Sequence, residues 1–167
     1  GKLEDITNVK KEVELPVLCK DFFIDPYQVY LAKSFGADAI LIILAAIDEN
    51  TAKSIYNISE KLNMSTIVEV HTVEEAKKAL TFENAIIGIN NRNLKNLETD
   101  IRTTFELYKI LDSHSGPIVS ESGIKSERDV EEILKKTKIN NFLIGESLLK
   151  DLNKKSPLLE RILKIAL

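Results

Sequence analysis

Five residues that could take part in chemistry stand at the ends of successive apolar runs along the chain. They are Lys20, Glu69, Asn90, Glu121 and Gly145. Lysine and glutamate act as general acids and bases, asparagine forms hydrogen bonds, and glycine lets the backbone approach an anion. Each residue alone has an ordinary explanation, as a solvated strand end or a turn. A polar residue or glycine at nearly every run instead predicts a ring of functional groups.

The apolar runs themselves have the length and composition of strands that are buried on both faces. They occupy 15–19, 39–45, 66–70, 85–89, 117–119 and 142–144. Helical patterns separate them, and several begin with side chains suited to cap a helix. These caps are Asp25-Pro26 with Gln28, Thr72 with Glu75, and Ser126 with Asp129. Strands alternating with helices predict βαβ units, a parallel sheet and one domain over residues 1–167.

The spacing of the run ends favours a barrel. Lys20 and Gly145 are 125 residues apart, which is about 25 residues per βα unit when the run at 39–45 counts as a further strand. We therefore predict the α/β fold class, as a (β/α) barrel. In such barrels the functional groups lie at the carboxyl ends of the strands.

Two glycines indicate a phosphorylated ligand. Gly123 in SESGI and Gly145 in LIGES each lie between a predicted strand and a predicted helix, in consecutive units. Barrels commonly bind a phosphate at the last two βα loops, through backbone N–H groups and a helix N-terminus. Neither motif is specific alone, but the pair in this order predicts a small phosphorylated substrate.

Composition excludes several classes of function. The net charge of −3 and the pI near 5.5 give no basic surface for nucleic acid, and the longest apolar run, 39–47, is too short to cross a membrane. The single cysteine, Cys19, fits a reducing cytoplasm and should be a small apolar filler that faces the helices. We interpret His71 and His114 as surface or capping residues, and the sequence offers no cluster of histidines and cysteines as a metal site.

Five segments resemble, in order, the signatures of indole-3-glycerol phosphate synthase. They are LPVLCKDFFIDPYQ, IVEVHTVEEAKKAL, IIGINNRNLKNLETD, VSESGIKSERDV and FLIGESLL. The resemblance implies a (β/α)8 TIM barrel of the phosphate-binding type, represented here by about six βα units, with the strands of this chain as the third to the eighth. It implies no metal or organic cofactor. It also implies closure of the pyrrole ring in tryptophan biosynthesis, with loss of carbon dioxide and water from 1-(2-carboxyphenylamino)-1-deoxyribulose 5-phosphate.

The same resemblance assigns roles to individual residues. Lys20 matches the general acid of ring closure, Glu69 the carboxylate of the dehydration step, and Glu121 a further carboxylate that orients the site. The residues that match substrate-binding positions are Asn90, Arg92 and Ser122. The residues that match the phosphate cradle, through backbone N–H groups, are Gly123, Gly145 and Glu146.

The length of the chain raises a further expectation. A complete barrel takes about 250 residues, whereas this chain has 167, and 3–13 reads as one amphipathic helix before the first strand. We therefore expect the first two strands to be absent, and a missing N-terminal segment or self-association to cover the open edges. Two alternatives stay open: a non-catalytic phosphate-binding fragment, and another phosphate-binding barrel such as phosphoribosylanthranilate isomerase or tryptophan synthase α.

Overall fold

A computed structural model describes residues 1–151 and 158–166 of the protein. These residues form two compact units, each with its own strands and helices. The first unit contains residues 1–70 and 84–86, and the second contains 71–83, 87–151 and 158–166. Strands alternate with helices along both units, as the apolar runs predict, whereas the prediction of one domain stays a prediction.

The first unit contains three strands and three helices in alternation. The helices are α1 (Leu3–Glu12), α2 (Tyr27–Ser34) and α3 (Glu49–Lys61), and the strands are β1 (Leu18–Cys19), β2 (Ala39–Ile43) and β3 (Ser65–Val70). The strands are parallel, with β2 between β1 and β3. The register pairs Leu18 with Ala39 and Ile43 with Glu69.

Both faces of β2 are buried, as expected for a strand of a parallel sheet covered by helices. On one face Leu41 and Ile43 pack with Ile67, and the half-buried Leu18 and Ile86 complete this cluster. The alternate residues of β2 point to the other face because side chains alternate along a strand.

Helix α1 is held against this unit by hydrogen bonds rather than by a large apolar face. Ile6 is its buried residue, and Lys10 Nζ contacts Asp38 Oδ2 at 2.9 Å.

The second unit repeats the same pattern. Its helices are α4 (Val73–Ala79), α5 (Arg102–Leu111), α6 (Glu127–Lys136), α7 (Glu146–Asp151) and α8 (Leu158–Ala166). Its strands are β4 (Ile86–Asn90), whose first residue counts with the first unit, β5 (Ile118–Glu121) and β6 (Asn141–Leu143). The strands are parallel in the order β4, β5, β6, and the register aligns Asn90 with Glu121 and Glu121 with Leu143.

The capping signals in the sequence mark where helices begin. Thr72 Oγ1 accepts the Glu75 N–H at the start of α4, and Asp129 Oδ2 accepts the Ser126 N–H at 2.8 Å at the start of α6. At α2 the Gln28 side chain accepts the N–H of Asp25, and the helix begins one residue after Pro26. Gly36, with φ of +93°, follows the end of α2. These caps satisfy N–H groups that have no partner inside the helix.

All six predicted strands are present, although β1 is shorter than its apolar run. Leu15 is exposed and Pro16 has no N–H to donate, so the paired part begins at Leu18. Among the helices of the described ranges, none is both long enough and apolar enough to cross a membrane.

Candidate functional site

Lys20 and Glu69 form an ion pair in the first unit. Lys20 Nζ lies 3.2 Å from Glu69 Oε2. The Glu69 side chain is 2% exposed, whereas that of Lys20 is 42% exposed, so the carboxylate is buried and the ammonium is open to solvent. The pair therefore presents a proton donor and a proton acceptor together at the carboxyl ends of strands.

The alternation of side chains along parallel strands explains why these two residues meet. Lys20 comes two residues after Leu18, and Glu69 comes two residues after Ile67, so both residues continue the face that carries the Leu41 and Ile43 cluster. Strand β2 lies between them, which separates the two backbones by about 10 Å. The long lysine side chain covers that distance.

Asn90 and Glu121 lie side by side in the second unit. The register of β4 and β5 aligns the two residues, and both side chains are buried. Asn90 Oδ1 accepts the Arg92 N–H at 3.0 Å, which shapes the chain as it leaves β4. The pairing places an amide and a carboxylate at neighbouring strand ends, as the sequence predicts.

A cavity of about 990 Å³ opens in the second unit beside the last two βα loops. Its wall includes most of the residues predicted to bind the substrate or its phosphate, together with Lys125, Lys150 and Arg161. The predicted residues in the wall are Arg92, Ser122, Gly123, Gly145 and Glu146. The wall also carries the carboxylates of Glu98, Asp100 and Glu146. We call this cavity the anion pocket, after the phosphate that the sequence predicts at the glycine loops.

Arg92 is held across the anion pocket by a carboxylate. Arg92 Nη2 lies 3.0 Å from Glu146 Oε2, and Arg92 Nη1 donates to the Leu97 carbonyl. The other oxygen of Glu146 contacts Lys150 Nζ at 2.5 Å. Hydrogen bonds from Lys150 and then from Arg92 lower the pKa of the Glu146 carboxyl below its ordinary value. Glu146 is therefore an anion at neutral pH, beside the surface predicted to bind a phosphate.

The loop after β5 has an unusual backbone. Ser122 has φ of +62° and Gly123 has φ of +74°, so two consecutive residues occupy the left-handed region. A Cβ at Gly123 would lie 3.2 Å from Thr99 Cβ, so both the backbone conformation and the limited space favour glycine there. At Gly145 an added Cβ would meet nothing within 4 Å. Gly123 and Gly145 therefore differ, because only Gly123 has a left-handed backbone and close neighbours.

Asn91 is a buried residue that the sequence analysis did not single out. Its side-chain Nδ2 donates to Ser120 Oγ and to the Ser122 carbonyl, each at 3.1 Å. Its Oδ1 accepts from the N–H of Thr104 at 3.0 Å and from Thr104 Oγ1 at 2.9 Å. Asn91 follows Asn90 by one residue and so faces the opposite side of the sheet, toward helix α5. That alternation is the signal that could have revealed it.

The remaining residues with chemical side chains have structural positions. His71 precedes helix α4, and its N–H and Nδ1 both face Glu75 Oε2, at 2.7 and 3.3 Å. His114 lies at the edge of a second cavity of about 360 Å³. Cys19 is buried, and burial, with Asp21 nearby, raises the pKa of its thiol. The described part of the chain holds no cluster of three or more residues that could bind a metal ion.

Comparison with known proteins gives a consistent result. The sequence profile of the family described as indole-3-glycerol phosphate synthase matches residues 1–159. An indole-3-glycerol phosphate synthase of Trichodesmium erythraeum is 42% identical over 96% of this chain and 55% of its own length. One of Oceanobacillus iheyensis is 43% identical over 90% of this chain and 57% of its own length. The tryptophan biosynthesis protein TrpCF of Buchnera aphidicola is 46% identical over 92% of this chain and 33% of its own length. The chain therefore spans about half, or less, of these relatives.

Proposed function

This chain belongs to the indole-3-glycerol phosphate synthase family, and on that premise we propose that it carries the synthase chemistry of its full-length gene product. The family match and the six parallel strands confirm the predicted α/β class, as part of a (β/α) barrel. The observation that carries the proposal is the Lys20–Glu69 pair, because its contact of 3.2 Å provides an acid and a base for a two-step reaction.

The proposed reaction begins with ring closure. The substrate is 1-(2-carboxyphenylamino)-1-deoxyribulose 5-phosphate, and its aromatic carbon that bears the carboxylate attacks the ketone carbon. A new carbon–carbon bond forms as the C=O π electrons move to oxygen, and the Lys20 ammonium donates the proton that oxygen needs. Carbon dioxide then leaves, and the electrons of its bond restore the aromatic ring. The exposed position of the Lys20 ammonium supports access to a substrate oxygen.

Dehydration completes the proposed reaction. The new hydroxyl leaves as water after protonation, and loss of one further proton forms the second double bond of the pyrrole ring. We assign the acid–base work at this stage to Glu69, whose buried carboxylate lies beside Lys20. Glu121, buried at the end of β5, takes the role of an orienting carboxylate.

Substrate binding in this proposal uses the second unit. Asn90 and Arg92 hydrogen-bond the substrate, and the planar guanidinium of Arg92 suits a carboxylate. Backbone N–H groups of the two loops bind the 5′-phosphate in the anion pocket. The residues assigned to that phosphate are Gly123, Gly145 and Glu146, and Ser122 is assigned to the substrate beside them. The proposal requires no metal or cofactor, because the proton transfers need only side chains.

The activity of the full-length gene product depends on more than these residues. The relatives are longer than this chain, which supports the proposal that an N-terminal segment supplies the first two βα units of the barrel. Without that segment we expect self-association of the 167 residues through exposed strand edges. The cytoplasmic location predicted from the single cysteine belongs to the same proposal.

The test replaces Lys20 in the full-length gene product and follows indole fluorescence as the product forms. Lys20→Met removes the proton donor while keeping the length of the side chain. We expect kcat to fall by about 10² to 10⁴, because general acid catalysis typically contributes that much, with KM changed by less than about tenfold.

The matched control is Lys10→Met. Lys10 is also paired with a carboxylate, with Asp38 Oδ2 at 2.9 Å, but it lies on helix α1 rather than at the end of a strand. Its kcat should stay within about twofold of wild type, because surface ion pairs contribute little. Near wild-type turnover by Lys20→Met, or an equal loss in both variants, would remove Lys20 from the mechanism.

A further inference from the structure

We propose that Asn91 is a positioning residue that aims the backbone N–H of Gly123 into the anion pocket. The inference rests on the proposed function, since it concerns how the β5–α6 loop binds phosphate. Asn91 itself is 2% exposed and points to the helix side of the sheet, so it acts through the loop and not by touching the ligand.

The side chain of Asn91 joins three parts of the second unit. Its Oδ1 accepts two hydrogen bonds from Thr104 on α5, and its Nδ2 donates to Ser120 on β5. The second proton of Nδ2 goes to the carbonyl of Ser122, at 3.1 Å. The amide uses both of its donor hydrogens and both acceptor sites, so its orientation is fixed by four partners.

The bond to Ser122 determines the direction of the next peptide group. The peptide between Ser122 and Gly123 is trans, so its carbonyl and its N–H point in opposite directions. Because Asn91 draws the carbonyl inward, the N–H of Gly123 points away from Asn91, and Ser122 and Gly123 both line the anion pocket. Within the described part of the chain, that N–H has no hydrogen-bond partner.

The backbone conformation at Ser122 and Gly123 requires a stabilising contact. Ser122 has a side chain and still adopts φ of +62°, a conformation that costs energy for residues other than glycine. Thr99 and Asn91 also flank Gly123 closely, so the loop has little room beside these two residues. Without the Asn91 donor, the peptide would be able to rotate, and its N–H would no longer be preorganised for an anion.

The test compares two variants that disturb the same buried network. Asn91→Ala removes the donor to the Ser122 carbonyl, whereas Ser120→Ala removes a hydroxyl from the network and leaves that donor in place. Inorganic phosphate is titrated into the ¹⁵N-labelled full-length gene product, and the Gly123 amide resonance gives the dissociation constant. Urea unfolding of the same samples gives their stability.

We expect Asn91→Ala to weaken phosphate binding at least about tenfold, which corresponds to the loss of one hydrogen bond to a charged group. Ser120→Ala should lose stability as well but keep its phosphate affinity within about twofold. Asn91→Ser, which keeps a shorter donor, should be intermediate and serves if the alanine variant does not fold. Equal affinities in the Asn91 and Ser120 variants at similar stability would overturn the inference. A wild-type protein whose Gly123 amide does not respond to phosphate would overturn the proposed phosphate site itself.

Discussion

Three glycines of this chain separate the conformational cost of a side chain from its steric cost. Gly145 has neither a positive φ nor a neighbour within 4 Å of an added Cβ. Gly36 has φ of +93°, but the nearest atom to its added Cβ is the flexible Lys10 Cγ at 3.7 Å. Gly123 has φ of +74° and close contacts of 3.2 Å to Thr99 Cβ and 3.4 Å to Asn91 Cβ. Alanine at each position therefore tests a different combination.

The magnitudes follow from these geometries. Gly145→Ala should leave the free energy of unfolding unchanged or raise it by about 0.5 kcal/mol, because alanine restricts the unfolded chain. Gly36→Ala should lower it by about 1 kcal/mol, the cost of placing a Cβ in the left-handed region. Gly123→Ala should lower it by about 2–3 kcal/mol, since overpacking against two fixed Cβ atoms adds to the same conformational cost.

The assay is urea unfolding followed by circular dichroism, with all three variants and wild type measured in one buffer. Comparison of the midpoints at equal slopes gives the differences in free energy. If Gly123→Ala costs no more than Gly36→Ala, the contacts with Thr99 and Asn91 relax without cost and the steric argument is wrong. If Gly145→Ala costs as much as Gly123→Ala, the geometric distinction between the two loops fails altogether.

Two further predictions concern carboxylates. Glu146→Gln should raise the affinity for inorganic phosphate about two- to fivefold, because it removes a negative charge from the anion pocket and releases Arg92. This gain in affinity should be smaller in high salt. The control Glu132→Gln breaks a similar pair with Lys136 outside the pocket and should leave the phosphate affinity unchanged. A fall in phosphate affinity for Glu146→Gln would contradict the assignment. The pKa of Asp38 is lowered, first by the hydrogen bond from Lys10 and then by the one from the Val17 N–H. The ionised carboxylate therefore stabilises the fold at pH values above the unfolded pKa of about 4. That stabilisation is lost as the pH falls through the pKa of the folded state. Since its side chain is 41% exposed, we expect Asp38→Asn to cost at most about 1 kcal/mol at pH 7 and less at pH 3, and thermal unfolding with an equal cost at both pH values would contradict this.

The parts of the fold that the sequence predicts are those that depend on local pattern. The apolar runs locate all six strands, because a strand covered on both faces has no polar positions in its middle. The sequence also indicates that Lys20 and Glu69 lie near each other. Both residues lie at the ends of such runs, and the carboxyl ends of parallel strands lie at one edge of the sheet. The boundaries are less accurate, as the late start of β1 at Leu18 illustrates.

The parts that the sequence does not predict depend on contacts between distant loops. Arg92 and Glu146 are 54 residues apart, and no local pattern indicates that the two side chains meet. Asn91 was hidden for a different reason: it lies beside Asn90, and adjacent strand residues face opposite sides of the sheet. The roles assigned to individual site residues came from the family resemblance and await the experiments above.

The reactivity of the buried Cys19 thiol can report how often strand β1 opens to solvent. It is the single cysteine of these 167 residues, so an alkylating reagent would modify one known position among them. Burial also raises the pKa of the thiol, which lowers the fraction of reactive thiolate in the closed state. Modification would therefore require β1 to open. The rate of modification would measure the frequency of that local opening at the residue next to Lys20. A ligand held by the Lys20 ammonium would slow that rate in proportion to its occupancy, giving a binding measurement that needs neither turnover nor an added label.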